Sequence, residues 1–301
     1  MQIEVTHLTR YRYQPSVAHA QHVSYLTPLQ GDHQKLLSHR LEIVPPPNEC
    51  VSRTDLFGNT RTFFSIHADH TVLSVTARSV VATSLKPAVL SPILWEAAQE
   101  CFRYQAHAPY HPASEFIFAS PYVPIHADFL NYALPSFSPQ TTLLACAFDL
   151  MNRIHQDFAY ETNSTQAHTT ALEALTQRRG VCQDFAHIMV ACWRAMGLPA
   201  RYVSGYLLTH PPEGQPRLVG CDASHAWASV FIPRLADDGA ALQGAGHWLD
   251  FDPTNNRNAG EDYVSLATGR DFADVSPLRG VILGGAGHVM DVEVTVTPQP
   301  V

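Results

Sequence analysis

The sequence predicts an α+β protein, an antiparallel β domain followed by helices and a second set of strands. Three observations carry this expectation. Residues 1–84 alternate apolar and polar side chains in short runs broken by turn signals. Residues 138–197 hold three stretches of helical periodicity. From Ala200 onward β-type runs return, and the last of them, His288 to Val296, alternates cleanly.

In the first module, Ile3-Glu4-Val5-Thr6, Leu41-Glu42-Ile43-Val44, Thr62-Phe63-Phe64-Ser65-Ile66 and Val72-Leu73-Ser74-Val75-Thr76 read as strands. Gln30-Gly31-Asp32, Pro45-Pro46-Pro47-Asn48 and Phe57-Gly58-Asn59 read as the turns between strands. About five antiparallel strands are expected, and the module holds no catalytic cluster. Residues 85–138 combine many prolines with Trp95, Phe102, Tyr104, Phe116 and Tyr122. That composition describes an ordered connector packed across both modules, because a disordered linker is poor in aromatics.

A first helix is expected from Ser138, with Pro139 at its opening position and Leu143, Leu144, Ala147, Leu150, Met151 and Ile154 as its apolar stripe. A second is expected over 170–179. Thr170 and Glu173 have capping-box spacing, and Gly180 stands where a terminating glycine belongs. The third starts near Cys182 and stops at Gly197, with Pro199 beyond. Strands follow at Ala200 to Leu208, Ala226 to Ile232 and His247 to Phe251. The organisation read from this pattern is a β domain (1–84), a connector (85–138), a core (139–258) and a C-terminal extension (259–301) ending in a strand.

Composition narrows the function classes. The chain has 301 residues, 46% hydrophobic and 15% charged, which describes an ordinary globular protein. The net charge of −8, with no run of Lys or Arg, argues against a nucleic-acid groove. No stretch approaches the roughly 20 apolar residues of a membrane span. The start, Met1-Gln2-Ile3-Glu4-Val5, does not read as a signal peptide, so the expected location is cytoplasmic. Cysteines 50, 101, 146, 182, 192 and 221 form no C-x-x-C pair, which argues against a disulfide framework or a zinc knuckle. Cys182 and Cys192 share one helix roughly 15 Å apart along its axis and cannot bond; all but Cys182 are expected to be small buried apolar residues. Histidines are many, but no H-E-x-x-H occurs, and His67 and His70 lack a third ligand, so neither metal nor cofactor is expected.

The chemistry concentrates in Arg179-Gly180-Val181-Cys182-Gln183-Asp184-Phe185-Ala186. A thiol at a helix N-terminus sees unpaired N–H groups and the positive end of the helix dipole, which favour the thiolate. Asp184 reads as a local cap, and His187 as a core or groove histidine. Downstream, Ala223-Ser224-His225-Ala226-Trp227 places a histidine at the start of a strand, with Trp227 beside it to exclude water. Trp248-Leu249-Asp250-Phe251-Asp252-Pro253-Thr254-Asn255 then places two carboxylates on one face of the next strand, and the Asp-Pro-Thr context favours Asp252. Asn255 and Asn256 read as caps of the turn that follows. A helix-borne Cys packed against neighbouring strands bearing His and Asp would form a nucleophile, base and orienting carboxylate.

Gly180 to Ala186, Gly197-Leu198-Pro199-Ala200-Arg201-Tyr202-Val203-Ser204-Gly205-Tyr206, Ser224 to Trp227 and Asp252 to Asn255 together resemble the transglutaminase-like superfamily, in the family's order. The β-rich N-terminus resembles the domain that precedes this core in bacterial members, often described as cysteine proteases. The resemblance implies a papain-like core, Cys182 as nucleophile, His225 as base and Asp252 as orienting carboxylate. It implies acyl transfer on amide bonds of a peptide or amide-bearing substrate, with hydrolysis preferred. The alternatives are protein-glutamine amine transfer or deamidation, arylamine acyl transfer, and a non-catalytic scaffold retaining the triad. The Cys182 N–H would be one oxyanion donor; Tyr160 and Gln183 are candidates for a second. Thr209 to Gly214 and Asp237-Asp238-Gly239 read as loops near the site, and self-association is left open.

Overall fold

A computed structural model describes residues 1–104, 106, 110–161, 169–209, 224–235, 241–285 and 287–300. The N-terminal strands are β1 (Gln2–Ser24), β2 (Gln34–Val44), β3 (Glu49–Thr54), β4 (Thr60–Ile66) and β5 (His70–Thr83). Their pairing runs β2-β5-β1-β4-β3, with β4 and β5 following one another along the same edge of β1. Alternation drives this sheet: Ile3, Val5, Leu73, Val75, Ala77 and Val81 turn inward and are buried. β3 is an edge strand with every residue exposed. Cys50 on it is therefore exposed and Cys101 partly so, unlike the buried Cys146 and Cys192. This corrects the expectation that all of these thiols are buried; Cys221 lies outside the described residues.

The connector folds into α1 (Trp95–Glu100), a 3-10 turn at Pro112–Phe116 and α2 (Ala127–Ala133). Phe116 stands between the two modules, 5.3 Å from the Phe57 ring and 5.2 Å from Trp248. α3 (Leu143–Asp157) follows. It starts later than Ser138 because Thr142 caps it, accepting from the Ala145 N–H. Residues 138–142 instead serve the 93–95 segment, with Trp95 and Leu143 donating to the Thr141 and Ile93 carbonyls. The expected stripe of α3 is buried apart from the partly buried Leu144.

β6 (Ala159–Tyr160) precedes α4 (Ala171–Gln177), and β7 (Arg179–Gly180) leads into α5 (Cys182–Ala195). The capping box at Thr170 and Glu173 is formed. The left-handed residue ending α4 is Arg178, at φ 54°, and Gly180 has another reason to be glycine. A Cβ there would meet the Asp184 carboxylate at 2.6 Å. α5 is the central element. Its apolar residues Phe185, Ile188, Met189, Val190 and Trp193 form the core with α2, α3 and the second sheet.

That sheet holds β8 (Ala200–Leu207), β9 (Ser224–Leu235), β10 (Ala241–Asp252), the short β11 (Arg257–Asn258) and β12 (Tyr263–Gly269), in the order β11-β10-β9-β8-β12. α6 (Phe272–Val275) then leads to β13 (Leu278–Gly284) and β14 (Gly287–Gln299). The segment read as a C-terminal extension from residue 259 thus divides between the two sheets. β12 completes the core sheet, while β13 and β14 pair with β1. The reason lies in β1, which spans 23 residues and is covered on only one edge by β5 and β4. Its other edge would present unpaired N–H and C=O groups without β13 and β14.

Two amide side chains join the domains. Gln34 donates to the Ser265 carbonyl and accepts its N–H, at 2.7 Å each. Asn59 does the same with Thr268 at 2.8 Å. Both imitate a neighbouring strand along β12, the edge of the core sheet. Tyr206, Leu208, Val264 and Leu266 pack into the apolar cluster of the N-terminal domain.

Candidate active site

Cys182 is the first residue of α5, and its N–H lies in a turn where no carbonyl of the helix can reach it. Val181 N–H donates to the Asp184 carboxylate at 2.8 Å, so Asp184 fixes the entry to this turn. Cys182 is partly exposed. Beneath it lie Tyr25, Ala186, Tyr202 and Ala226.

Antiparallel pairing of β9 and β10 brings the start of one strand to the end of the other, and so His225 to Asp252. The Nε2–H of His225 donates to Asp252 Oδ2 at 2.7 Å. The histidine is also hydrogen-bonded to the Cys182 side chain, with Nδ1 the nitrogen left for the sulfur. Burial disfavours the charged ring, but the hydrogen bonds and charges of Asp252 and Cys182 outweigh it and raise His225 to about 10. The structure thus assembles the three residues the sequence selected.

Asp252 is fully buried and well satisfied. Oδ1 accepts the N–H groups of Thr254 at 2.9 Å and Asn255 at 3.2 Å. Oδ2 accepts Asn255 Nδ2 at 2.7 Å and the Tyr263 hydroxyl at 2.7 Å, besides His225. Burial alone would raise its pKa; the His225, Asn255 and Tyr263 hydrogen bonds bring it below the usual carboxylate value. Asp250, two residues earlier on the same face, is paired with Lys86 instead. Tyr263 was not among the residues singled out by sequence. It belongs to β12, and its signal was the β-prone run Tyr263-Val264-Ser265-Leu266.

Trp227 is fully buried, with its ring 6.0 Å from His225 and 5.2 Å from Tyr263. Gly205 makes room for it, since a Cβ there would lie 2.5 Å from the indole. Tyr160 pairs with Gly180 in the β6–β7 ribbon, beside the start of α5. Burial, then the charges of Cys182, Asp252 and Asp184, raise its phenol above the ordinary value. Gln183 is half-buried in the first turn of α5. His187 is fully buried between Tyr122 and Tyr202, and Nε2 accepts the Phe272 N–H at 3.2 Å. Burial lowers it to about 3, so it is a neutral packing residue. Among the described residues no three His, Cys, Asp or Glu side chains converge to hold a metal ion. No described helix is long and apolar enough to cross a membrane. The loops at 210–214 and 237–239 fall outside the described residues.

An antiparallel sheet domain joined to a core in which Cys, His and Asp meet across a helix terminus and two strands defines the class. The chain belongs to the transglutaminase-like superfamily. The profile of that superfamily matches residues 132–253, and that of the bacterial transglutaminase-like N-terminal region matches residues 3–82. An uncharacterised protein of Mycobacterium tuberculosis is 41% identical over 98% of this chain and 92% of its own length. One from Mycobacterium leprae is 33% identical over 98% of both. The crystal structure of a proposed cysteine protease from Cytophaga hutchinsonii shares the fold, with TM-score 0.71 and 22% identity over 100% of this chain and 92% of the other.

Proposed function

We propose that the chain is a thiol acyl-transfer enzyme that hydrolyses amide bonds, with Cys182 as nucleophile, His225 as acid and base, and Asp252 as orienting carboxylate. The observation that carries this reading is the position of His225, bonded to Asp252 on one side and to Cys182 on the other.

In the forward half-reaction Sγ attacks the amide carbonyl and forms a tetrahedral oxyanion. The Cys182 N–H, at the start of α5, is one donor to that oxyanion, and Tyr160, paired with Gly180 just before α5, and Gln183 are the candidates for a second. Collapse breaks the C–N bond, and His225 delivers its proton to the departing amine. Water then attacks the thioester while His225 takes the water's proton; collapse breaks the C–S bond, releasing the acid and returning the sulfur and the protonated His225 to their starting state. Asp252 holds the ring and stabilises its cationic form throughout. The narrow partition formed by Trp227 and Tyr263 keeps bulk water from the His225–Asp252 pair.

The test combines labelling and turnover. Iodoacetamide is applied near neutral pH in a Cys50→Ser background, because Cys50 is exposed, and each site is read by mass spectrometry. Cys182 reacts first, and His225→Ala removes that preference. Peptide amides are then offered with and without a primary amine. Release of acid favours hydrolysis, whereas incorporation of the amine favours transfer. A folded chain with no preference for Cys182 and no turnover supports the scaffold reading instead.

A further inference from the structure

A cavity of about 720 Å3 lies between the N-terminal domain and the face of the core sheet that points away from α5. Its size is that of a small-molecule site. Arg201 of β8 and Lys86 of the connector line it, together with an apolar wall that includes Leu29, Pro87 and Leu90. Neither Cys182 nor His225 lines it. Tyr263 does, and so forms the partition between this cavity and the His225–Asp252 pair.

Arg201 is the group in it that packing leaves unexplained. Its guanidinium lies over the Trp248 ring at 4.3 Å. Nε is buried with no hydrogen-bond partner. Asp250 is near enough for its charge to act on Arg201, yet its carboxylate is bonded by Lys86. Among the described residues none accepts a hydrogen bond from the Arg201 side chain. Burial lowers the guanidinium to about 10, with Asp250 acting the other way, so it remains a cation at neutral pH. Arg201 itself is partly exposed, but a buried N–H donor without an acceptor is costly to keep. Stacked on an indole, its N–H edge is held in place for a planar or tetrahedral oxyanion. Lys86 and Asp250 pair with each other, and the other charged residues of the lining are Arg201 and the exposed Asp32.

We propose that this cavity binds a small organic anion, whose carboxylate or phosphate group is received by Arg201 and whose apolar body lies along Leu29, Pro87 and Leu90. The occupant is not the acyl group carried by Cys182, so the inference does not depend on the reaction proposed there. Calorimetric titration of the whole chain with hexanoate, hexyl phosphate and hexanamide tests it. At least one of the two anions binds saturably at one site per chain, and hexanamide binds about tenfold or more weakly. Tighter binding of hexanoate assigns a carboxylate ligand; tighter binding of hexyl phosphate assigns a phosphate. Arg201→Gln weakens the anion by a similar factor while the near-ultraviolet circular dichroism stays that of the parent. The proposal fails if neither anion binds, if hexanamide binds as tightly, or if folded Arg201→Gln keeps its affinity. Should Arg201→Gln not fold, the comparison of anion with amide on the unaltered chain decides. Protein alkylated at Cys182 binds the same anion; loss of binding on alkylation places the ligand at the thiol and overturns the assignment.

Discussion

The hydroxyl of Tyr263 donates to Oδ2 of Asp252 at 2.7 Å, the same oxygen that His225 meets at 2.7 Å. A residue of the core sheet's edge strand therefore shares the carboxylate with the candidate base. Tyr263→Phe removes this donor while keeping the ring that packs on Trp227. The buried carboxylate then loses one of its five hydrogen bonds. Urea unfolding at neutral pH is expected to show a loss of about 1–2 kcal/mol.

His225 gives stability a pH dependence of definite sign. The folded ring is raised to about 10 by Asp252 and Cys182 against the opposing effect of burial, whereas an unfolded histidine titrates near 6.5. The folded state holds the proton more tightly. This contribution is fully present below about 6.5, shrinks above it and is lost as the pH rises through about 10. The stability gap between the parent and His225→Gln is thus widest near pH 6 and narrows toward alkaline pH, as a series of urea midpoints at stepped pH would show.

Asp252 and Asp250 separate by function, though only two residues apart. Asp252→Asn is expected to lower kcat/KM on a fluorogenic peptide amide by about a thousandfold or more. The carboxylate that orients and charges the imidazole is gone. Asp250→Asn breaks the pairing with Lys86 and leaves kcat/KM within about threefold, since an exchange at that distance touches neither His225 nor Cys182.

Gly205→Ala is expected to destabilise the fold. The added Cβ would lie 2.2 Å from the Val264 carbonyl and 2.5 Å from the Trp227 ring. The first of these is backbone of the paired strand and has no rotamer to change. A cost of about 1–3 kcal/mol is expected, read as a lowered Tm. Gly31→Ala, where nothing lies within 4 Å, is the control and leaves Tm nearly unchanged.

The core was legible where local pattern and chemistry coincide. Cys182 follows a helix break, His225 opens a β-prone run, and Asp252 precedes a proline, so each marks its own place in the sequence. Asp184 was legible as a cap because its spacing from Val181 is that of a first-turn acceptor. Tyr263 was not, because its role arises from the pairing of β12 with β8, which no local feature of either segment encodes. Gly180 was assigned to the end of α4 by a correct general preference. The left-handed conformation fell instead on Arg178, and the glycine answers to the Asp184 side chain. The partners of β1 were hidden for a related reason. Alternation identifies a strand and its inward face but carries no information about which distant strand completes its edge.

The pairing of Gln2 with Gln299 has a bearing on how the protein is made. β1 is made long before β14, its neighbour along the sheet. Until then the N-terminal sheet has an unsealed seam, while the helices and strands between are already in reach of one another. The segment between β5 and β13 encodes the core, and the segments before and after it encode its companion. That seam closes only after the core segment has been made, and the two domains mature together.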